Sequence, residues 1–154
     1  MSDDLPPGLG SRGEMALAYW QTLRRGRRIP ARADLDPTEI PKLLPGVILV
    51  EVERAPLDFR YRLVGTEVDT ISHRNFRGVR FSEVLHMRRG NDIWAQFARV
   101  VETAAPLWSD IPYVGADPFI RRIRHCLLPL GADGATVDMV FAVIDIDRIA
   151  VVAA

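Results

Sequence analysis

Two periods of apolar spacing alternate along the chain, and proline, glycine and capping residues mark where one gives way to the other. In GEMALAYWQTLRR, residues 13–25, Met15, Tyr19 and Leu23 fall on one side of a helix, with Ala16 and Trp20 adjoining. Ser11 and Glu14 stand at the S-x-x-E spacing of a capping box, basic residues suit the far end, and Gly26 stops the helix. Residues 1–10 carry no such pattern and are expected to be disordered, leaving 11–154 as one domain. A second helix start follows at Asp36, Pro37 and Glu39, held to a turn or two by Pro41 and Pro45.

The period then changes to two. VILVEVE, from Val47, reads as a strand with Ile48, Val50 and Val52 on one face. After the hairpin connection RAPLD, FRYRLV alternates strictly, which predicts Phe59, Tyr61 and Leu63 inward and Arg60 and Arg62 outward. Residues 65–86 suit short helical turns broken by Gly78. NDIWAQFARVVETA, capped by Asn91 or Gly90, returns to helical spacing through Ile93, Phe97, Val100, Val101 and Ala104. Beyond Pro106 come three strand-like runs, LWSDIPYV, FIRRIRHCLLPL and TVDMVFAVIDI, the last two joined by the turn sequence GADG. Clustered strands without βαβ alternation predict an α+β fold: a five-stranded antiparallel sheet with helices on one face and an amphipathic N-terminal helix.

Composition narrows the function classes. Twenty basic residues balance twenty acidic ones, so the general electrostatic drive toward nucleic acid or anionic membrane is missing, and neither partner is expected. Nearly all the basic residues are arginine, with Lys42 the single lysine, which reads as GC-rich coding before it reads as function. One cysteine forms no internal disulfide and no multi-cysteine metal site. The start MSDDLPPGLG lacks the positive charge of a signal peptide, and no apolar run approaches the ~20 residues of a membrane span, so a cytoplasmic protein is expected.

The element order and one stretch of residues carry a family resemblance. YWQTLRRGRRIPARADLDPTEIPKLLPGVILVEVE, then FRYRLVGTEV, then CLLPLGADGATVD resemble a family of short, stand-alone bacterial PAS domains. The shared pattern is a tryptophan helix, an arginine–proline–arginine–aspartate run, an Asp-Pro-x-x-Ile-Pro turn and a Leu-Pro before the first strand. The resemblance implies the PAS fold and a sensory or protein-interaction role in bacterial signalling; it implies no reaction and no particular ligand. Within it, Arg32 and Asp34 lie in a backbone fixed by Pro30, Pro37, Pro41 and Pro45, read as a mount that docks the N-terminal helix on the edge or open face of the sheet. A binding role for the same stretch is the competing reading.

Candidate chemistry is sparse. Of the three histidines, His73 and His86 lie where some PAS domains bring a histidine to haem iron, although no haem motif is present and no helical metal pair occurs. SHRNFRGVRF resembles the flavin-photoreceptor variety of PAS domain, but Phe76 stands where its reactive cysteine would be, which excludes covalent flavin chemistry and leaves non-covalent flavin as an alternative that no other residue supports. His125 and Cys126 are strand neighbours pointing to opposite faces, so they form no dyad, and Cys126 reads as a small buried apolar residue. His125 shares a face with Ile123 and Leu127, either as a polar anchor in a cavity or as a satisfied core histidine. RRGRR and RRIR read as helix ends and an outer strand face, with an anion site as the alternative.

Tyr61, Leu63, Trp94, Phe97, His125 and Phe141 are the candidate lining of a pocket between sheet and helices, joined by Ile123 and Met139; the same list describes a packed core. Met15, Tyr19, Trp20 and Leu23 nearly encircle the first helix and are the candidate contact with a second copy or a signalling partner. The expectation is a non-catalytic sensory module relaying through a homodimer or partner contact. Its rivals are a sensor holding a small molecule or haem, with no cofactor identified, and, last, a small enzyme.

Overall fold

The computed structural model describes residues 8–72, 74–111, 113 and 115–149. Helix α1 (Ser11–Arg24) leads through three single 3-10 turns to strands β1 (Val47–Glu53) and β2 (Asp58–Val64). Helix α2 (Thr66–Ser72), two more 3-10 turns and helix α3 (Asp92–Thr103) follow, then β3 (Leu107–Ile111), β4 (Ile120–Leu130) and β5 (Met139–Arg148). The strands form one antiparallel sheet in the order β2-β1-β5-β4-β3. Helices α2 and α3 cover one face, and α1 lies across β4 and β5 on the other. Among the described residues no helix is long and apolar enough to cross a membrane.

Helix α1 is held at both ends by side chains from elsewhere. Its N-cap is Gly10 and not Ser11, and no capping side chain comes from the helix itself. Asp145 of β5 supplies the missing acceptor, taking the backbone N–H groups of Arg12 at 3.2 Å and Gly13 at 2.9 Å. The negative carboxylate meets the positive helix end, a contact worth ~1 kcal/mol. The capping-box spacing is therefore present, but tertiary structure offers a better-placed acceptor. Leu9 is also buried, so the packed chain begins ahead of the expected boundary at residue 11; the expectation of disorder for residues 1–7 lies outside the described residues.

At the other end, the last two arginines of the RRGRR run donate to helix carbonyls. Arg27 donates to Leu23 and Arg24, Arg28 donates to Thr103 at the end of α3, and Arg27 also pairs with Asp34 at 2.6 Å. Asp34 accepts the N–H of Ala31 as well, and these bonds hold its carboxyl below the ordinary carboxylate range. Asp36 caps the Pro37–Glu39 turn through Thr38, while its own N–H bonds the Tyr19 hydroxyl, whose proton goes to Glu39. The proline-rich stretch is thus bonded to α1 through Tyr19 and to the residues just behind α1 through Arg27, as a mount is. RRIR likewise resolves into an outer strand face, with Arg122 and Arg124 beside Asp110.

One register detail redirects a predicted side chain. β1 pairs Val50 with Tyr61 but Leu49 with Leu63, so Arg62 is an extra residue in β2. A bulge of one residue reverses the alternation beyond it. Phe59 and Tyr61 face α3, whereas Leu63 shares the opposite face with Leu49 and Phe141.

Candidate functional site

The helical face of the sheet carries an aromatic cluster. Phe59 sits 5.2 Å from Phe81 and 5.0 Å from Trp94 between ring centroids, and Phe81 meets the edge of Phe97 at 4.9 Å. Tilted and edge-on rings at these distances add ~0.5–1.5 kcal/mol per pair beyond their burial. This cluster is solid core. Beside it, toward α2 and β3, packing is incomplete and leaves a cavity of about 110 Å³.

The cavity walls are almost wholly apolar. Ile48, Ala142 and Ile144 come from the central strands, Ile123 from β4, Val68 and Ile71 from α2, and Phe97 from α3. Phe76, His86 and Met87 come from the connection between α2 and α3. The half-buried Ser72, His86 and Tyr113 mark the outer rim, where the Tyr113 hydroxyl donates to the carbonyl of Ile71 and ties α2 to the β3–β4 connection.

One polar cluster reaches the inner wall through His125. His125 is buried, and its Nε2 bonds the Gln96 side-chain oxygen and lies 3.1 Å from Ser109 Oγ; Ser109 in turn donates to the same Gln96 oxygen at 2.7 Å. With Gln96 oriented this way Nε2 carries the proton, which leaves Nδ1 as an acceptor to which no described residue donates. Burial holds the imidazole down at about 4, so the ring is uncharged near neutrality. An uncharged imidazole with a free acceptor can orient a hydrogen-bonding ligand. The other titratable candidates are quiet. Burial, and then Asp145, pushes the Cys126 thiol up to about 12, which makes it inert, and burial raises the Tyr61 phenol.

The six expected lining residues divide evenly. Tyr61, Phe97 and His125 do line the cavity. Leu63 does not, because of the bulge at Arg62, and neither does Phe141, which its pairing with Leu49 puts on the face under α1. Trp94 is buried one step away, in the aromatic cluster. Met139, named beside them, pairs with Glu51 and also stays outside the cavity. Gln96 and Ser109 escaped the sequence reading, yet Gln96 carries a signal: it is a polar residue inside the helical stripe, three after Ile93 and four before Val100.

The candidate partner contact divides as well. Trp20 and Leu23 are 3% and 5% exposed, buried against the same chain's sheet and so unavailable to a partner. The helix turns Gly13, Ala16, Leu17, Trp20 and Leu23 inward, a stripe rotated from the one centred on Met15 and Tyr19 because Gly13 lets the backbone approach Leu9 and Cys126. Met15 remains 44% exposed, and Tyr19 is half-buried over Glu39.

Of the two histidines weighed for haem, His86 lines the cavity and His73 lies outside the described residues. No cluster of three or more His, Cys, Asp or Glu side chains suited to a metal ion occurs among the described residues. A volume of about 110 Å³ is near the ~150 Å³ apolar cavity that holds one benzene ring, and far below the ~300–1,000 Å³ of pockets for drug-sized ligands. Without remodelling it takes one ring, not a tetrapyrrole or a flavin. A family model described as a PAS domain matches residues 11–144 of the chain. No curated protein and no solved structure matches it.

Proposed function

The chain belongs to the PAS domain family, and from that premise we propose that it is a non-catalytic sensory module that binds a small, mainly apolar organic molecule between its sheet and α2–α3. The observation that supports this reading is the coincidence of empty space with the His125–Gln96–Ser109 cluster. A core histidine serving structure alone has its hydrogen-bonding atoms paired and its neighbours packed tight. Here an unpaired acceptor belongs to a residue that lines an apolar cavity, the combination small-molecule sites use for orientation.

A route for the signal accompanies the site. Val68 and Ile71 put α2 on the cavity wall, and Glu67 of the same helix pairs with Arg12 of α1 at 2.8 Å. Among the described ion pairs it is the one that joins these two helices. Partly exposed, it contributes at most ~1 kcal/mol, enough to bias the position of α1 without locking it. The outward residues Met15 and Tyr19 would then present that change to a second copy or a signalling partner.

Single-ring compounds are therefore expected to raise the melting temperature of the protein in a concentration-dependent way. Ala142→Leu, which extends a side chain into the cavity, should abolish the shift while the variant still melts cooperatively; Ile123→Phe provides a second filling variant. Equal shifts in wild type and both filled variants would place binding elsewhere and overturn the proposal.

A further inference from the structure

The chain as a whole has no net charge, yet the connection that closes the cavity does. Residues 74–89, RNFRGVRFSEVLHMRR, hold five arginines and one acid, Glu83. Arg80 is already paired with Glu53. Arg74 has no carboxylate partner among the described residues. Its guanidinium carbon lies 5.0 Å from the centroid of the Phe76 ring, and Phe76 stacks on Tyr61 at 5.2 Å. Both rings line the cavity, so an unpaired cation stands on the side where the half-buried His86 forms the rim. Its field reaches inward: after burial, Arg74 is the second cause holding His86 below its ordinary value, and it opposes the rise of the Tyr61 phenol.

These features describe two ends of one site. His125, on β4, is separated from Tyr61, on β2, by two strands, and the cavity floor between them is apolar. A neutral ligand would leave the cation unused, and a multiply charged one would exceed it. A planar guanidinium beside an uncharged imidazole suits a single carboxylate, which takes parallel hydrogen bonds from arginine. Resting on the ligand-sensing reading above, we propose that the cavity takes a small organic carboxylate, with one ring or a short chain among Tyr61, Phe97 and Ile123 and its acid group at Arg74 and His86.

Benzoate and benzyl alcohol have similar shape and differ in charge, so titration calorimetry with both separates the cavity from its cation. Benzoate is expected to bind wild type about fivefold more tightly, the effect of one exposed charge pair, with the gap narrowing as salt is added. Arg74→Gln, a substitution at an exposed position, should bring benzoate down to the affinity of benzyl alcohol and leave benzyl alcohol unchanged. Equal binding of the two probes by wild type overturns the carboxylate inference and leaves the cavity reading standing. Parallel weakening of both probes in Arg74→Gln also overturns it, since Arg74 would then act on the fold. Failure of both probes to bind overturns both readings.

Discussion

Replacing Trp20 by alanine is expected to cost about 3–5 kcal/mol of folding stability, the largest effect of any single substitution in α1. The indole is 3% exposed and its Nε1–H donates to the Pro129 carbonyl at 2.8 Å. That acceptor is free for a reason legible in the register. β3 pairs with β4 only as far as Leu107 opposite Leu127, so Pro129 lies past the end of the β3 edge, where a strand tolerates proline and has a carbonyl to spare. Trp20→Phe keeps a ring on the sheet but strands that carbonyl, for an expected loss of about 1–3 kcal/mol. Urea melts of the three proteins decide the matter. Near-wild-type stability for Trp20→Ala would mean that α1 is not fastened to the sheet as described.

Acidification should weaken the protein through His125. Its folded-state value, about 4, lies below the ordinary 6.5, so the unfolded chain binds the proton more readily. The stabilisation is complete above about pH 6.5 and is lost as pH falls toward 4, amounting to about 3 kcal/mol over that window. His125→Leu should remove this dependence, while Gln96 keeps the hydrogen bond from Ser109. His86 is also depressed, with burial the main cause, but it titrates in both proteins and cancels in their difference. Denaturant unfolding at a series of pH values should give a wild-type minus variant difference that shrinks on acidification. A constant difference would show that the imidazole is not buried as described.

The element order was legible because each element carries its own period and its own punctuation. Phe59 and Tyr61 alternate, Ile93 to Val100 recur helically, and Asp36–Pro37 starts a turn. Faces were less legible, since a face depends on what the chain meets elsewhere. The bulge at Arg62 has no glycine or proline to announce it, so Leu63 goes to the wrong side of any strict alternation. The stripe of α1 is set by a glycine at position 13 and a carboxylate more than a hundred residues away, and neither shows in helical spacing. RRGRR kept an anion site as its alternative because a sequence shows side chains and not the helix-end carbonyls they meet.

The site was half visible for a similar reason. His125 stood out as a polar residue on an apolar strand face, but its partners sit on α3 and β3, brought together only by the sheet. The space beside it is a matter of volumes that no residue pattern encodes. Three of the six expected residues line it; Trp94 and Phe141 fill ordinary core, and the half-buried Leu63 packs against that core.

Isoleucine methyl spectra recorded while neutral benzene is titrated into the protein address the site itself. An oily room on the α2–α3 side of the sheet predicts shifted methyl signals for Ile71, Ile123 and Ile144 and an unmoved one for the fully buried Ile29. A shift at Ile29 with the first three unmoved, or no shift anywhere, would contradict it.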